Sequence, residues 1–141
     1  MSLPKDQLGF KLKRICDEVE RSANQESAAL GLTFVQGRTL LYLYEVGGSC
    51  GQCDLEHYLG ISHPAVGGLL RRMEAKKLLR CAFDARDKRV KNVYITPEGE
   101  RLYPQVLAIR QGDDEKLTGC LSEEELGQLY TLLDRVYDNL K

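Results

Sequence analysis

Apolar residues recur at the three-and-four spacing of amphipathic helices over most of this chain, and the breaks in that rhythm outline its architecture. Leu8, Leu12, Ile15, Cys16, Val19 and Ala23 predict one helix from about Pro4 to Leu30, stopped by Gly31. Thr33 and Gln36 have the spacing of a capping box for a second helix. Leu40, Leu41, Leu43 and Tyr44 give that helix its apolar side, and Gly47 and Gly48 end it. A short helix over Cys53–Leu59, anchored by Leu55 and Leu59, leads through Gly60 and Ile61 to a new cap at Ser62. From there Val66, Leu69, Leu70 and Met73 mark the buried stripe of a helix reaching about Lys77.

The period then changes. Leu79–Phe83 and Val90–Thr96 are rich in β-branched and aromatic residues and flank the polar turn Asp84–Arg89, which predicts a hairpin with a basic tip. Thr96 and Pro97 open another helix as cap and first residue, and Pro104 is expected to bend it. A last helix starts at the capping box Ser122/Glu125 and carries Leu126, Leu129, Tyr130, Leu133, Val136, Tyr137 and Leu140. So complete an apolar stripe on a terminal helix needs a cover. The fold class expected is mainly α with a small β-hairpin: two short helices joined by a tight glycine-containing turn, then a wing, which is a winged helix-turn-helix. The 141 residues are enough for one domain, with 33–96 as its winged-helix core.

Charge sharpens that picture. The chain has a net charge of -1, yet residues 62–91 carry 9 Lys/Arg against 3 Asp/Glu. The flanks are acidic, with 6 against 8 over residues 1–61 and 5 against 10 over residues 92–141. A central basic block between acidic flanks suits a surface for nucleic-acid phosphates, because counterion release rewards local clustering of cations. A solvated charged helix is the plainer alternative. No apolar run is long enough to span a bilayer, so no membrane partner is expected. The Met-Ser-Leu-Pro-Lys start lacks the apolar stretch of a signal peptide, which makes a cytoplasmic location the expectation.

The candidate DNA contacts lie within the basic block. Opposite the Val66/Leu70/Met73 stripe stand Pro64, Gly67, Gly68 and Arg71, with Ser62, His63 and Arg72 at the margins, a face able to enter the major groove. Gly67 and Gly68 are costly inside a helix, by about 1 kcal/mol each relative to alanine. Either the backbone there comes close to DNA, or it packs tightly within the protein. Arg86, Lys88, Arg89 and Lys91 on the hairpin are placed for phosphates or the minor groove, and Asp87 can hold the Arg89 guanidinium.

Several strings together resemble the MarR family of transcriptional regulators over nearly the whole chain. They are Leu32-Thr-Phe-Val-Gln36, Asp54-Leu55 to Leu59-Gly-Ile-Ser62, Leu70-Arg-Arg-Met-Glu74, Asp87-Lys-Arg89 and Tyr94-Ile-Thr-Pro-Glu-Gly99. The resemblance implies an obligate homodimer, joined through helices within 4–30 and 97–141, that sets two recognition helices on a palindromic operator to repress or activate transcription. It also implies a cleft for a small-molecule effector, phenolic or otherwise aromatic, between the dimerisation and DNA-binding parts. Ser62–Arg72 would be the recognition helix and Arg86–Lys91 the wing; the paired glycines depart from the more polar helix usual in the family.

Five cysteines without a secretion signal argue against a disulfide framework. Cys50-Gly-Gln-Cys53 lies where a small strand passes into a helix, and a thiol at a helix N-terminus has a lowered pKa. A redox switch is one reading. With His57 and either Cys81 or His63 the pair offers a zinc or copper site as another, and inert packing is the third. Two competing functions follow, a thiol oxidoreductase using Cys50 and Cys53 and a dimeric interaction module without DNA binding. The chain lacks the alternating strand-helix-strand pattern of such oxidoreductases, and no enzyme is expected.

Overall fold

Side-chain caps set where the helices begin. Thr33 Oγ1 accepts the Gln36 N–H while Gln36 Oε1 accepts the Thr33 N–H, both at 3.2 Å. Ser62 Oγ accepts the Ala65 N–H at 3.3 Å, and Thr96 Oγ1 the Gly99 N–H at 3.1 Å. Ser122 and Glu125 complete a second reciprocal box at 3.0 and 3.1 Å. The structure is a computed structural model that describes residues 7–141, so the expected start at Pro4 lies outside the described residues. Within them the chain runs α1 (Leu8–Ala28), α2 (Phe34–Glu45), β1 (Ser49–Gly51), α3 (Gln52–Leu59), α4 (His63–Ala75), β2 (Leu79–Phe83), β3 (Lys91–Ile95), α5 (Pro97–Thr118) and α6 (Glu123–Asn139).

The expected hairpin gains a third strand. The sheet has the order β1-β3-β2, antiparallel throughout, with Val93 paired to Cys50 on one side and Cys81 on the other. Strand β1 is the small strand expected ahead of Cys53, and it is three residues long. Strand β3 starts at Lys91 rather than Val90, because Val90 closes the wing turn: its N–H donates to Asp87 O at 3.0 Å and its carbonyl accepts from Asp84 N at 2.8 Å. Helix α4 ends short of Lys77, which takes a left-handed φ of 64°. The Leu78 N–H then reaches back to Met73 O at 3.1 Å, satisfying a carbonyl that the helix leaves free.

The core joins α2, α3, α4, the sheet and the first half of α5. Leu40, Leu43, Leu55, Val66, Met73 and Val93 are fully buried, and Val106 of α5 packs into the same cluster. Helix α5 continues through Pro104 as one element, its earlier turns in this core and its later ones beside α1. The terminal helices bury little: α1 buries Ala23 and Ser27, and α6 buries nothing.

One contact fixes how these parts meet. Leu78 O accepts the Thr96 N–H at 3.2 Å, and Thr96 Oγ1 donates to Lys77 O at 2.7 Å. Gly99 lies so close that a Cβ there would sit 2.3 Å from Leu78 O and 2.8 Å from Ile95 Cγ1. The glycine of the Thr-Pro-Glu-Gly string is therefore required by backbone approach and not by its dihedral angles. Gly99→Ala is expected to cost about 1–3 kcal/mol through forced separation of α5 from β2, read as a lower urea midpoint with the slope unchanged.

Candidate nucleic-acid interface

Helix α4 divides into two faces. Val66, Leu69, Leu70 and Met73 are buried, while Ser62, His63, Pro64, Arg71 and Arg72 are exposed and Gly67 and Gly68 half-exposed between them. A Cβ at Gly67 would meet only Arg71 Nη1, at 3.6 Å, and one at Gly68 the ends of Arg72 and Arg71, at 3.2 and 3.8 Å. No backbone or core atom crowds them, so tight internal packing does not account for the glycine pair. They leave a shallow surface flanked by the exposed guanidinium groups of Arg71 and Arg72.

The wing is organised by a residue that sequence reasoning passed over. Asp84 Oδ1 accepts the N–H groups of Arg86 and Asp87 at 2.8 and 3.3 Å, and its Oδ2 accepts from Asn92 Nδ2 at 3.0 Å. These bonds, the Arg86 amide first and then Asn92, hold its carboxyl below the usual range. Asp-x-x-Asp at the start of a polar turn was the available signal, since such side chains cap their own turns. Asp87 holds Arg89 as expected, in a fork with Nε at 3.1 Å and Nη2 at 3.2 Å, and also accepts the Arg89 N–H at 3.0 Å. Arg86, Lys88 and Arg89 are exposed and Lys91 half-buried, so the structure brings the whole cationic set to the surface of one hairpin.

Not every cation of the basic block is free. Lys76 Nζ donates to Gln36 Oε1 at 2.8 Å and to Gly31 O, which ties the end of α4 to the start of α2. Arg80 lies 4.3 Å from the centre of the Tyr94 ring across the β2/β3 pair. These two serve the scaffold.

Above the winged part a cleft of about 220 Å³ opens between α1, α2, α3 and α5, floored by Val19, Ala23, Leu41 and Val106. The Arg38 guanidinium lies between the Phe34 and Tyr58 rings, 5.6 and 5.3 Å from their centres, and Tyr58 stacks on Tyr42 at 4.3 Å. Arg110, also on the wall, is paired with Glu45 at 3.1 Å. At the far side Asp113 is buried against α1, where burial and then the negative charge of Glu26 push its carboxyl up. Glu26 is held below its usual range chiefly by Lys116, whose Nζ donates to it at 2.8 Å.

A sequence model of the MarR family matches residues 30–90. The transcriptional regulator HosA of Escherichia coli O157:H7 is 42% identical over 57 residues, which are 40% of this chain and only 42% of that protein's length. A structure of S. aureus MepR bound to DNA is similar throughout, with 32% identity, a TM-score of 0.87, and coverage of 94% of this chain and 98% of MepR. The chain belongs to the MarR family. Bordetella bronchiseptica BpsR, whose DNA binding is regulated by 6-hydroxynicotinic acid, superimposes with a TM-score of 0.84 at 25% identity over 98% of each chain. This MarR-family chain is a winged helix transcriptional regulator and not an enzyme.

The cysteines of this MarR-family chain fall apart as a reactive cluster. Cys50 sits on β1, before the Gly51 cap of α3, and faces the core beside Val93, so the helix N-terminus does not activate it. Burial, then Asp54 and Cys81, push its thiol up to about 11, which favours the inert-packing reading over the redox switch. Cys81 is pushed up as well, by burial and then Glu74. Both flank Val93 on one sheet face, two strand spacings or about 9–10 Å apart at Cα, too far for a disulfide. Cys53 and His57 are exposed on α3, and among the described residues no group of three His, Cys, Asp or Glu is placed to hold a metal ion. In thiol titration with a bulky alkylating agent, Cys16, Cys53 and Cys120 are expected to react in the folded protein, and Cys50 and Cys81 only after unfolding. Prompt reaction of Cys50 in the folded state would reinstate it as a sensor.

Proposed function

We propose that this MarR-family regulator binds a palindromic operator in duplex DNA as a homodimer. Residues 33–96 form its DNA-binding core, and α1, α5 and α6 its dimerisation helices. The observation that carries the reading is the joint exposure of two features: the shallow Gly67/Gly68 face between Arg71 and Arg72, and a wing whose Arg89 is already held by Asp87. Ser62, His63, Pro64, Arg71 and Arg72 enter the major groove, where Gly67 and Gly68 let the helix backbone approach closely. Arg86, Lys88, Arg89 and Lys91 take phosphates or the adjacent minor groove. The DNA-bound MepR neighbour supports this assignment.

The dimer reading rests on uncovered apolar surface. On α6 and its C-cap, Tyr130, Leu132, Tyr137 and Leu140 are each more than half exposed, and Leu8, Ile15 and Leu117 add apolar surface from α1 and α5. A second copy covers such a surface symmetrically, and a two-fold dimer matches a two-fold operator. Control comes through the cleft: Arg38, within cation–π reach of Phe34 and Tyr58, offers a cation to a small aromatic acid, which would disturb the link between α2 and α3. The ligand-regulated neighbour BpsR supports an effector of this class.

The direct test is retention of genomic duplex fragments by the purified protein at two salt concentrations. Selective, salt-weakened retention of a palindromic fragment is expected; no retention would leave the chain as a dimeric interaction module. Arg89→Ala is expected to weaken binding to all duplexes and to make the salt dependence shallower by about one unit of slope. Unaltered slope and affinity would remove the wing from the interface. Val136→Asp places a charge on the exposed stripe of α6, 38% accessible in the protomer, so chain folding should survive while assembly is lost. Sedimentation of that variant is expected to show monomers with native circular dichroism, and an intact dimer would refute the interface.

A further inference from the structure

The recognition helix begins with a histidine whose ring is held from the preceding helix. His63 Nδ1 contacts Glu56 Oε1 of α3 directly. Gln52, buried one turn earlier on α3, donates from Nε2 to the same Glu56 oxygen at 3.3 Å, and that nitrogen stands 3.5 Å from His63 Nδ1. The His63 side chain is 73% exposed and that of Glu56 only 18%. The holding group is thus sheltered, and the held ring stands at the outer surface of α4.

A carboxylate oxygen can only accept, so the proton of this contact belongs to Nδ1. In a neutral imidazole the other nitrogen is then an acceptor. With Nδ1 turned to Glu56, Nε2 is directed outward from the first turn of α4, the part of a recognition helix that contacts base edges. We propose that Glu56, steadied by Gln52, is a positioning residue for base readout. It fixes His63 in the Nδ1–H form, so that Nε2 accepts a hydrogen bond from the exocyclic amino group of adenine or cytosine in the major groove. Guanine and thymine offer only acceptors at the matching edge, and an accepting nitrogen opposite O6, N7 or O4 is left unpaired. The assignment rests on the DNA-binding reading above and adds to it a donor-selective position. On a face with two glycines, that position supplies discrimination that few other side chains there can provide.

Two measurements test it. Without DNA, nitrogen NMR of the imidazoles at about pH 8, above the ordinary histidine range, needs to resolve only His57 and His63. The Nδ1–H form is expected for His63 in the native protein and in Glu56→Gln, whose amide oxygen still accepts, and the Nε2–H form in Glu56→Ala. An Nε2–H ring in the native protein would overturn the proposal. With DNA, duplexes selected from a random pool are bound at the same pH by each protein, with every base pair substituted in turn. His63→Ala and Glu56→Ala are expected to lose about tenfold discrimination at the same base pair of each half-site, Glu56→Gln to keep it, and all to retain selectivity elsewhere. A uniform loss across positions in Glu56→Ala, or discrimination that survives it, would overturn the positioning role. Failure of the native protein to select any duplex would instead overturn the DNA-binding reading, and the positioning role with it.

Discussion

Strand β2 and helix α5 meet backbone to backbone, and the rest of the molecule is arranged around that approach. Leu78 is the first residue after the left-handed turn at Lys77 that follows α4. Its carbonyl accepts the Thr96 N–H and faces Gly99 at a distance that leaves no room for a side chain. The end of α4, the base of the wing and the start of α5 are thereby locked within a few residues of one another. Because the lock consists of main-chain bonds and one absent Cβ, it is insensitive to the exposed side chains around it. The surface residues of α4 and the wing can therefore be given over to binding.

The same economy shows in α3, which is only eight residues long. Leu55 anchors it in the core, Tyr58 lines the cleft against Arg38, and Gln52 and Glu56 reach the first residue of α4. A helix held by one buried leucine and touched from both sides is well suited to transmit a displacement from the cleft to α4. Its coupling can be carried by packed side chains in direct contact, without rearrangement of the fold.

The thiols follow from the same packing. A small three-stranded sheet has only one face to bury, and its central Val93 must be flanked by residues of modest volume. Cys50 and Cys81 fill those two places as small hydrophobic groups, where burial favours the protonated thiol. Their spacing in the chain to Cys53 and His57 suggested chemistry that the fold separates, with Cys50 and Cys81 against the core and Cys53 and His57 exposed on α3.

The sequence by itself determined the order of elements, most of the helix caps and the family, because these depend on local patterns: apolar period, Ser/Thr three residues before a partner, proline at a first turn. It also placed Arg89 and Asp87 correctly as a pair, since they are two residues apart in one turn. Only the tertiary structure decided what depends on residues distant in the chain. It assigned Lys76 to the scaffold through contacts 40 and 45 residues away, showed Gly67 and Gly68 open, and set Gly99 against Leu78. It also joined Glu56 to His63, two residues on different helices that no local period links. Caps and periods are written in neighbouring residues, whereas burial, close approach and the partner of a charge are set by which surfaces the folded chain brings together.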